Sequence, residues 1–175
     1  MIKTIKIENV KLEKEENCVS TVYAEITAPL WWWDKFDGCV DHETVIPIIS
    51  KIMVDGVDFD DFSNESIYTE LSTSDVDDIM TIIITRINEI GEQFVKIKAD
   101  EKDSLAKRKK LAELFRQVEQ LMPRSYNVTS KVVLDYEILS YLYKRYRNRF
   151  DEWDEFCKWV KTLPDSEKII FKKGE

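Results

Sequence analysis

Residues 28–37 read Ala28-Pro29-Leu30-Trp31-Trp32-Trp33-Asp34-Lys35-Phe36-Asp37 and hold three of the five tryptophans of the chain. Each tryptophan ring needs a wide apolar contact, and its indole N–H needs an acceptor when it is buried. On a helix the three rings fan over about 200°, so they cannot all face one core. We therefore expect at least one of them to line a cleft, a subunit interface or a ligand.

The residues before this stretch predict a strand that runs directly into a helix. Apolar and polar side chains alternate from Val19 to Ile26, which indicates a strand that ends at Ala28-Pro29. The tryptophans then open a helix with Pro29 before or at its first turn. Met1–Val10 has a second strand-like pattern, and we expect Lys11–Asn17 to be a charged turn. Strand–helix corners of this kind in α/β proteins commonly border sites.

The length and composition are those of a globular protein. The 175 residues are 43 % hydrophobic and 34 % charged, so we expect one domain over residues 1–170 and a disordered tail at 171–175. No apolar run approaches the roughly 18 residues that cross a bilayer, and the first residues do not resemble a signal peptide. We expect a location in the cytoplasm and no membrane partner.

The metal-binding residue types are few. Three cysteines, Cys18, Cys39 and Cys157, have no paired spacing, and His42 is the single histidine. The acidic stretch Asp58–Ser63 lacks the glycine and the final glutamate of a calcium loop. We therefore predict reduced thiols and neither a metal nor a cofactor.

The charge is distributed unevenly along the chain. Residues 1–103 carry 23 acidic and 10 basic side chains (−13), whereas residues 104–175 carry 11 and 16 (+5), for a net charge of −8. An acidic protein is a poor non-specific ligand of nucleic acid, whose binding depends on excess Lys and Arg. An anionic small molecule would be attracted to the C-terminal part.

Periodicity predicts the remaining elements. Steps of three and four between apolar residues indicate helices, and alternation indicates one more extended segment. The predicted helices are Thr44–Val54, Ser74–Lys98, Lys102–Leu121, one that starts at Asp135, and Asp151–Thr162, and the extended segment is Val128–Leu134.

Two polar segments are candidates for ligand binding. Met122–Asn127 is a donor-rich loop after a helix, and Lys144–Arg149 holds four cations in six residues, interleaved with tyrosine. Cations suit the negative end of a helix dipole, but that effect accounts for only one or two of them.

Several stretches together resemble a family of small bacteriophage proteins that are often labelled as related to flavin-dependent thymidylate synthase. The matching stretches are Tyr23–Asp37, Asp60–Ser63, Leu121–Asn127, Leu134–Leu139 and Asp151–Pro164. The resemblance implies an α+β fold (α/β-type mixed), flavin-dependent thymidylate synthase-like, with a small sheet packed with long helices. It also implies a homo-oligomer, a dimer or tetramer, with sites shared between subunits. The long apolar helix over Val76–Phe94, which exceeds what one small core hides, points the same way.

The sequence departs from the enzyme at the residues that hold its flavin and nucleotide. Aligned from Ala28-Pro29, the Arg-His-Arg motif of the enzyme falls on Gly38, Cys39 and Val40. The polar positions that follow fall on Glu43, Val45, Ile46, Ile48 and Ser50. Its later Asn and Arg fall on Asp135 and Glu137, and a further Arg falls on Tyr146, between Arg145 and Arg147. Because phosphates need cations or converging N–H donors, we expect neither flavin binding nor hydride transfer.

The leading hypothesis is a bacteriophage protein that binds or sequesters a nucleotide or nucleotide-derived signal, with a role against host defence or in nucleotide metabolism. The tryptophans would stack on the base, the cations would bind the phosphate, and the loop Met122–Asn127 would contact the polar edges of the base. The candidate ligand-binding residues are Trp31, Trp32, Trp33, Lys35, Arg124, Ser125, Tyr126, Asn127, Lys131, Arg145 and Arg147. We expect no sequence-specific binding of nucleic acid.

Three other interpretations stay open. The protein could be a nucleotide-modifying enzyme, thymidylate synthase-like or acting through Asp37, Cys39 and His42. It could be a host-protein-binding module that uses the tryptophan-rich surface. The tryptophans could also be core and interface residues, with the arginines capping a helix.

Overall fold

The structure is a computed structural model that describes residues 5–15, 18–36, 47–63, 73–100, 102–149 and 151–169. The chain divides into two compact units, which are described separately below. Unit 1 is Met1–Thr44 with Val128–Glu175, and unit 2 is Val45–Asn127. The single domain over residues 1–170 stays a prediction. Asp37, Cys39 and His42 lie outside the described residues, as does the predicted tail at 171–175.

The structure contains both helices and strands, which confirms a mixed α+β protein. In chain order they are β1 (Lys6–Glu15), β2 (Cys18–Pro29), α1 (Leu30–Trp33), α2 (Pro47–Asp55), a 3-10 turn (Phe59–Asp61), α3 (Thr73–Lys98), α4 (Leu105–Leu121), β3 (Asn127–Leu134), α5 (Tyr136–Tyr146), α6 (Asp151–Thr162) and α7 (Ser166–Ile169).

The described sheet is antiparallel and three-stranded, in the order β1-β2-β3. One face of β2 is buried through Val22, Ala24, Ile26 and Ala28, and β3 alternates between buried and exposed side chains. Two-residue periodicity of this kind is what the sequence predicts for a sheet with one face on a core.

The predicted turn at Lys11–Asn17 is wrong over its first five residues. Lys11 pairs with Tyr23 and Glu13 pairs with Thr21, so β1 extends to Glu15. Lys11 and Glu13 are exposed, and an edge strand that points charged side chains into water needs no apolar alternation. A bulge at Asn9 interrupts the same strand, where φ of +53° is a value that asparagine tolerates.

Three helices of unit 1, α1, α5 and α6, begin where the sequence predicts, whereas the short α7 is not predicted. Pro29 precedes α1 with φ of −67°, and the Asp135 carboxylate accepts the Ile138 N–H at 2.7 Å to cap α5. Thr162 ends α6, close to Leu163-Pro164 as expected.

Unit 2 packs α2, α3 and α4 around one apolar core. Its fully buried residues include Ile52, Met53, Ile87, Ile90 and Leu114. Gly56 ends α2 with φ of +76°, a conformation that suits glycine. A Cβ at Gly91 would lie 3.1 Å from the Met53 carbonyl oxygen, so a glycine on α3 lets α2 approach closely.

None of the helices that the structure describes is long and apolar enough to cross a membrane. In the same part of the chain, no three His, Cys, Asp or Glu side chains form a group that could hold a metal ion.

Candidate anion-binding site

The tryptophan stretch forms part of an aromatic core in unit 1. Trp32 is 0 % exposed and stacks on Trp153, with ring centroids 4.7 Å apart and planes 25° apart. Trp153 stacks in turn on Tyr146, with centroids 4.2 Å apart and planes 21° apart. Phe36 and Phe156 contact Trp32 with centroids 4.5 and 5.8 Å away. Stacked rings of this kind bury a large apolar area and fix one another's orientation.

Trp33 joins the strand–helix corner to the neighbouring strand. Its indole N–H donates to the carbonyl oxygens of Ala28 at 3.2 Å and Val128 at 3.1 Å. Trp33 is buried like Trp32, whereas Trp31 is partly exposed and Lys35 is exposed. The rings of Trp32 and Trp33 thus contact the protein itself, which removes most of the surface that base stacking or a host-protein contact would use.

Four cations surround two tyrosines where α5 ends, and we call these six residues the cation–tyrosine cluster. Arg147 Cζ and Lys161 Nζ lie 6.0 and 5.7 Å from the centroid of the Tyr143 ring. Arg145 Cζ and Arg149 Cζ lie 5.6 and 6.0 Å from the centroid of Tyr146. The two tyrosines are three residues apart on α5, so their side chains are neighbours on its surface.

Two helices build the cluster. α5 supplies both buried tyrosines and Arg145, the residues after it supply Arg147 and Arg149, and α6 supplies Lys161 from its last turn. Tyr146 also belongs to the aromatic core through Trp153, so Arg145 and Arg149 contact a ring that is already held in place. Each cation is exposed to solvent.

The four cations have no carboxylate at ion-pair distance among the described residues. Arg145 is bound to hydroxyls instead, since its Nε donates to Tyr146 Oη at 3.1 Å and its Nη1 to Tyr141 Oη at 2.8 Å. These contacts raise the pKa of Arg145, and the hydrogen bond to Tyr146 has the largest effect. Arg147, Arg149 and Lys161 keep their charged groups available to a ligand.

An acid and a thiol also lie beside the cluster. Asp154 Oδ1 accepts the Asn148 N–H at 3.2 Å. Burial is the main reason that the pKa of the Cys157 thiol is raised to about 11, and the negative charge of Asp154 adds to this effect. The positive charges of Lys161 and Arg147 lower the same pKa. Cys157 is therefore a protonated core residue at neutral pH and a poor nucleophile.

The sequence-predicted loop residues make protein contacts in unit 2. The Ser125 carbonyl oxygen accepts the Ser63 N–H at 2.8 Å, and Asn127 Oδ1 accepts the Ser63 hydroxyl at 2.7 Å. Tyr126 packs edge-on against Phe62, and Arg124 is exposed. These two hydrogen bonds hold Ser63 against the loop that contains Ser125 and Asn127.

Tyr126 also lines a cleft of about 780 Å³ in unit 2. Asp55, Asp58 and Asp61 line the same cleft. Burial raises the pKa of Tyr126 to about 12, with Asp61 and Asp55 acting in the same direction. Carboxylates that disfavour a phenolate also disfavour a phosphate, so this cleft is a poor place for an anion.

The remaining candidate, Lys131, lies on the exposed face of the sheet in unit 1. Its Nζ is 4.0 Å from Glu25 Oε1, and the Lys131 side chain is exposed while that of Glu25 is partly exposed. The candidates thus fall into two groups: the loop residues Arg124, Ser125, Tyr126 and Asn127 belong to unit 2, and the other seven belong to unit 1. Of these seven, the structure brings Arg145 and Arg147 into the cation–tyrosine cluster.

Sequence reasoning missed Lys161 as a member of the site. Fourteen positions separate it from Arg147, and a lysine in the last turn of a helix is ordinary because it suits the helix dipole. The packing of α6 against α5 brings Lys161 to Tyr143, and no local sequence pattern predicts that contact.

Comparison with known proteins gives no relative: no protein-family model matches the chain, and neither does any curated protein or solved structure.

Proposed function

We propose that the protein binds a nucleotide or nucleotide-derived molecule, and that the cation–tyrosine cluster contacts its phosphate. The observation that carries the proposal is that Arg147 and Lys161 converge on one ring, Tyr143, without a carboxylate partner among the described residues. Like charges held beside one ring repel each other, and a bound anion removes that repulsion.

Phosphate fits this arrangement better than a carboxylate does. Its several oxygens can accept N–H donors from a guanidinium and an ammonium at the same time, in charge-assisted hydrogen bonds. Arg149 supplies a third cation on the neighbouring Tyr146 ring. The buried tyrosines hold the cations through cation–π contacts, each worth about 0.5–1 kcal/mol at an exposed site.

The nucleotide part of the proposal rests on the resemblance to the phage family. On that basis the fold is a thymidylate synthase-like scaffold that has lost the residues for flavin, and the protein sequesters its ligand in the cytoplasm of an infected host. The net charge of −8 supports a small ligand over nucleic acid, because the overall negative charge repels a polyanion.

The first experiment is an absorbance spectrum of the purified protein, followed by mass spectrometry of molecules released on denaturation. A released nucleotide supports the proposal, and turnover of that nucleotide would replace it with the enzyme hypothesis. A flavin absorbance band would refute the argument from Gly38, Cys39 and Val40.

The second experiment measures binding of a nucleotide panel, with inorganic phosphate and pyrophosphate, by calorimetry. We expect Arg147→Ala and Lys161→Ala each to weaken binding about tenfold or more, since a charged hydrogen bond contributes roughly 1.5–3 kcal/mol. Lys158→Ala is the matched control, because it removes one charge from the same helix at a residue that pairs with Glu155 at 3.0 Å. Equal effects of Lys158→Ala and Lys161→Ala would reduce the site to general electrostatics and refute the proposal.

A further inference from the structure

Two isoleucines on α3 lie on the surface of unit 2. The side of α3 that carries Val76, Met80 and Ile84 packs into the core of the unit. Ile79 and Ile82 lie outside that buried side and are 51 % and 69 % exposed. Isoleucine has no polar group to place in water, so this pair is an apolar part of α3 that the core leaves uncovered; Val95, near the end of the same helix, is also exposed.

The two isoleucines stand in a row with two opposite charges. Asp75, Ile79, Ile82 and Arg86 follow one another at spacings of four, three and four residues. This spacing keeps side chains on one stripe of a helix and is that of a two-helix contact seam. The order along the seam is acid, isoleucine, isoleucine, base.

We infer that a second copy of this chain docks on the seam, with its own α3 running antiparallel. A two-fold axis between residues 80 and 81 puts Ile79 of each copy on Ile82 of the other, and Asp75 of each copy against Arg86 of the other. Parallel pairing would instead place Asp75 on Asp75 and Arg86 on Arg86. The charge order selects the antiparallel dimer, in which one patch serves both copies.

The monomer contacts of Arg86 are compatible with this pairing. Arg86 Nη1 lies 2.9 Å from Glu89 Oε2, and both side chains are about half exposed. An exposed pair of this kind contributes little, and a guanidinium has further N–H donors for a second carboxylate. The seam spans eleven steps of about 1.5 Å along the helix, so the contact is small and the dimer depends on concentration.

The test is sedimentation equilibrium of the full-length protein across a range of concentrations. The inference expects a reversible monomer–dimer equilibrium for the wild type and at least tenfold weaker dimerisation for Ile82→Glu. Leu105→Glu is the matched control, because Leu105 is 70 % exposed on α4, outside the seam, and the same change there leaves the dimer intact. Circular dichroism checks that each variant keeps its helices.

Charge reversal tests the antiparallel geometry separately. Arg86→Asp alone places acids against acids at both ends of the seam and weakens the dimer about tenfold or more. Adding Asp75→Arg to the same chain restores the pairing with the signs exchanged and brings the dimer back towards wild-type strength.

Three outcomes overturn the inference. In the first, the wild-type chain stays monomeric up to about 1 mM. In the second, Ile82→Glu leaves dimerisation unchanged. In the third, the double variant Asp75→Arg/Arg86→Asp dimerises no more strongly than Arg86→Asp alone. None of these measurements depends on whether the protein binds a nucleotide.

Discussion

Replacement of Asn88 removes both hydrogen bonds that hold the chain where α2 ends. Asn88 Oδ1 accepts the Val57 N–H at 2.8 Å, and Asn88 Nδ2 donates to the Val57 carbonyl oxygen at 2.9 Å. A single amide on α3 thus satisfies both backbone groups of one residue, and Val57 itself belongs to the core of unit 2. Asn88→Ala leaves the two groups without a side-chain partner.

The expected loss of stability follows from these two bonds. Leaving a buried donor or acceptor unpaired costs roughly 1–3 kcal/mol, and the adjoining cleft lets water replace part of each bond. We expect Asn88→Ala to lower the free energy of unfolding by about 2–4 kcal/mol. Lys110→Ala, which removes only an exposed pair with Glu113, should change it by less than about 1 kcal/mol.

Urea denaturation followed by circular dichroism at 222 nm is the suitable assay. The five tryptophans all belong to unit 1, so tryptophan fluorescence reports on the other unit, whereas helicity includes the three helices around Asn88. The midpoint should fall while the slope against urea stays the same. A loss below about 0.5 kcal/mol, within the range of ordinary surface substitutions, would refute the argument that this amide holds the segment.

Asn88→Asp separates the two bonds. A carboxylate keeps the acceptor for the Val57 N–H but can donate to the Val57 carbonyl oxygen only when it is protonated, so folding should raise the pKa of the new carboxyl group. A raised folded-state pKa gives stability that is present at low pH and lost as the pH rises through that value. The deficit of Asn88→Asp relative to wild type should therefore shrink as the pH falls from 7 towards about 4.

Three further predictions concern single groups. Trp33→Phe removes the indole N–H that bonds two backbone carbonyls, among them that of Val128, and should cost about 1–3 kcal/mol in thermal or urea unfolding; an unchanged midpoint would contradict this. Tyr126 has a pKa of about 12 in the folded protein, so the stability that its neutral form provides is complete below about pH 10 and falls above it. Tyr126→Phe should therefore lose less stability than the wild type between about pH 9 and pH 11, and parallel losses would contradict the raised value. Cys157, with a pKa of about 11, should resist a thiol reagent at about pH 8 in the native protein and react on denaturation, as peptide mapping by mass spectrometry can check; fast native labelling would refute its burial.

Much of the element order could be predicted from the sequence because local rules decide it. The periodicity from Val76 to Phe94 indicates a long helix, and α3 spans Thr73–Lys98. Asp135 and Pro29 are residues that begin helices, and both precede one here. In these segments capping, turn geometry and apolar spacing all favour the same structure, so tertiary contacts had nothing to override.

The errors and omissions come from contacts between segments far apart in sequence. The charged residues after Val10 have the composition of a turn, but in the structure they pair with β2 and form part of the edge strand β1. The burial of Trp32 depends on Trp153, more than a hundred residues later, which provides the ring on which it stacks. Lys161 joins the candidate site only because α6 packs on α5. The residues next to each of these segments in the sequence contain no pattern from which the contact could be predicted.

The aromatic core holds one ring of the cation–tyrosine cluster, that of Tyr146. Trp32, Trp153 and Tyr146 form one series of stacked rings, and Arg145 bonds the hydroxyl of the last of them. Cations on flexible side chains lose rotamer freedom when they bind an anion, at a cost of about 0.5–1.5 kcal/mol for each immobilised side chain. Rings that are already fixed reduce that cost, because they limit where the charged groups can go before a ligand arrives. Under the proposed function, Trp32 and Trp153 thus contribute to binding indirectly: they position Tyr146, and Tyr146 positions Arg145 and Arg149.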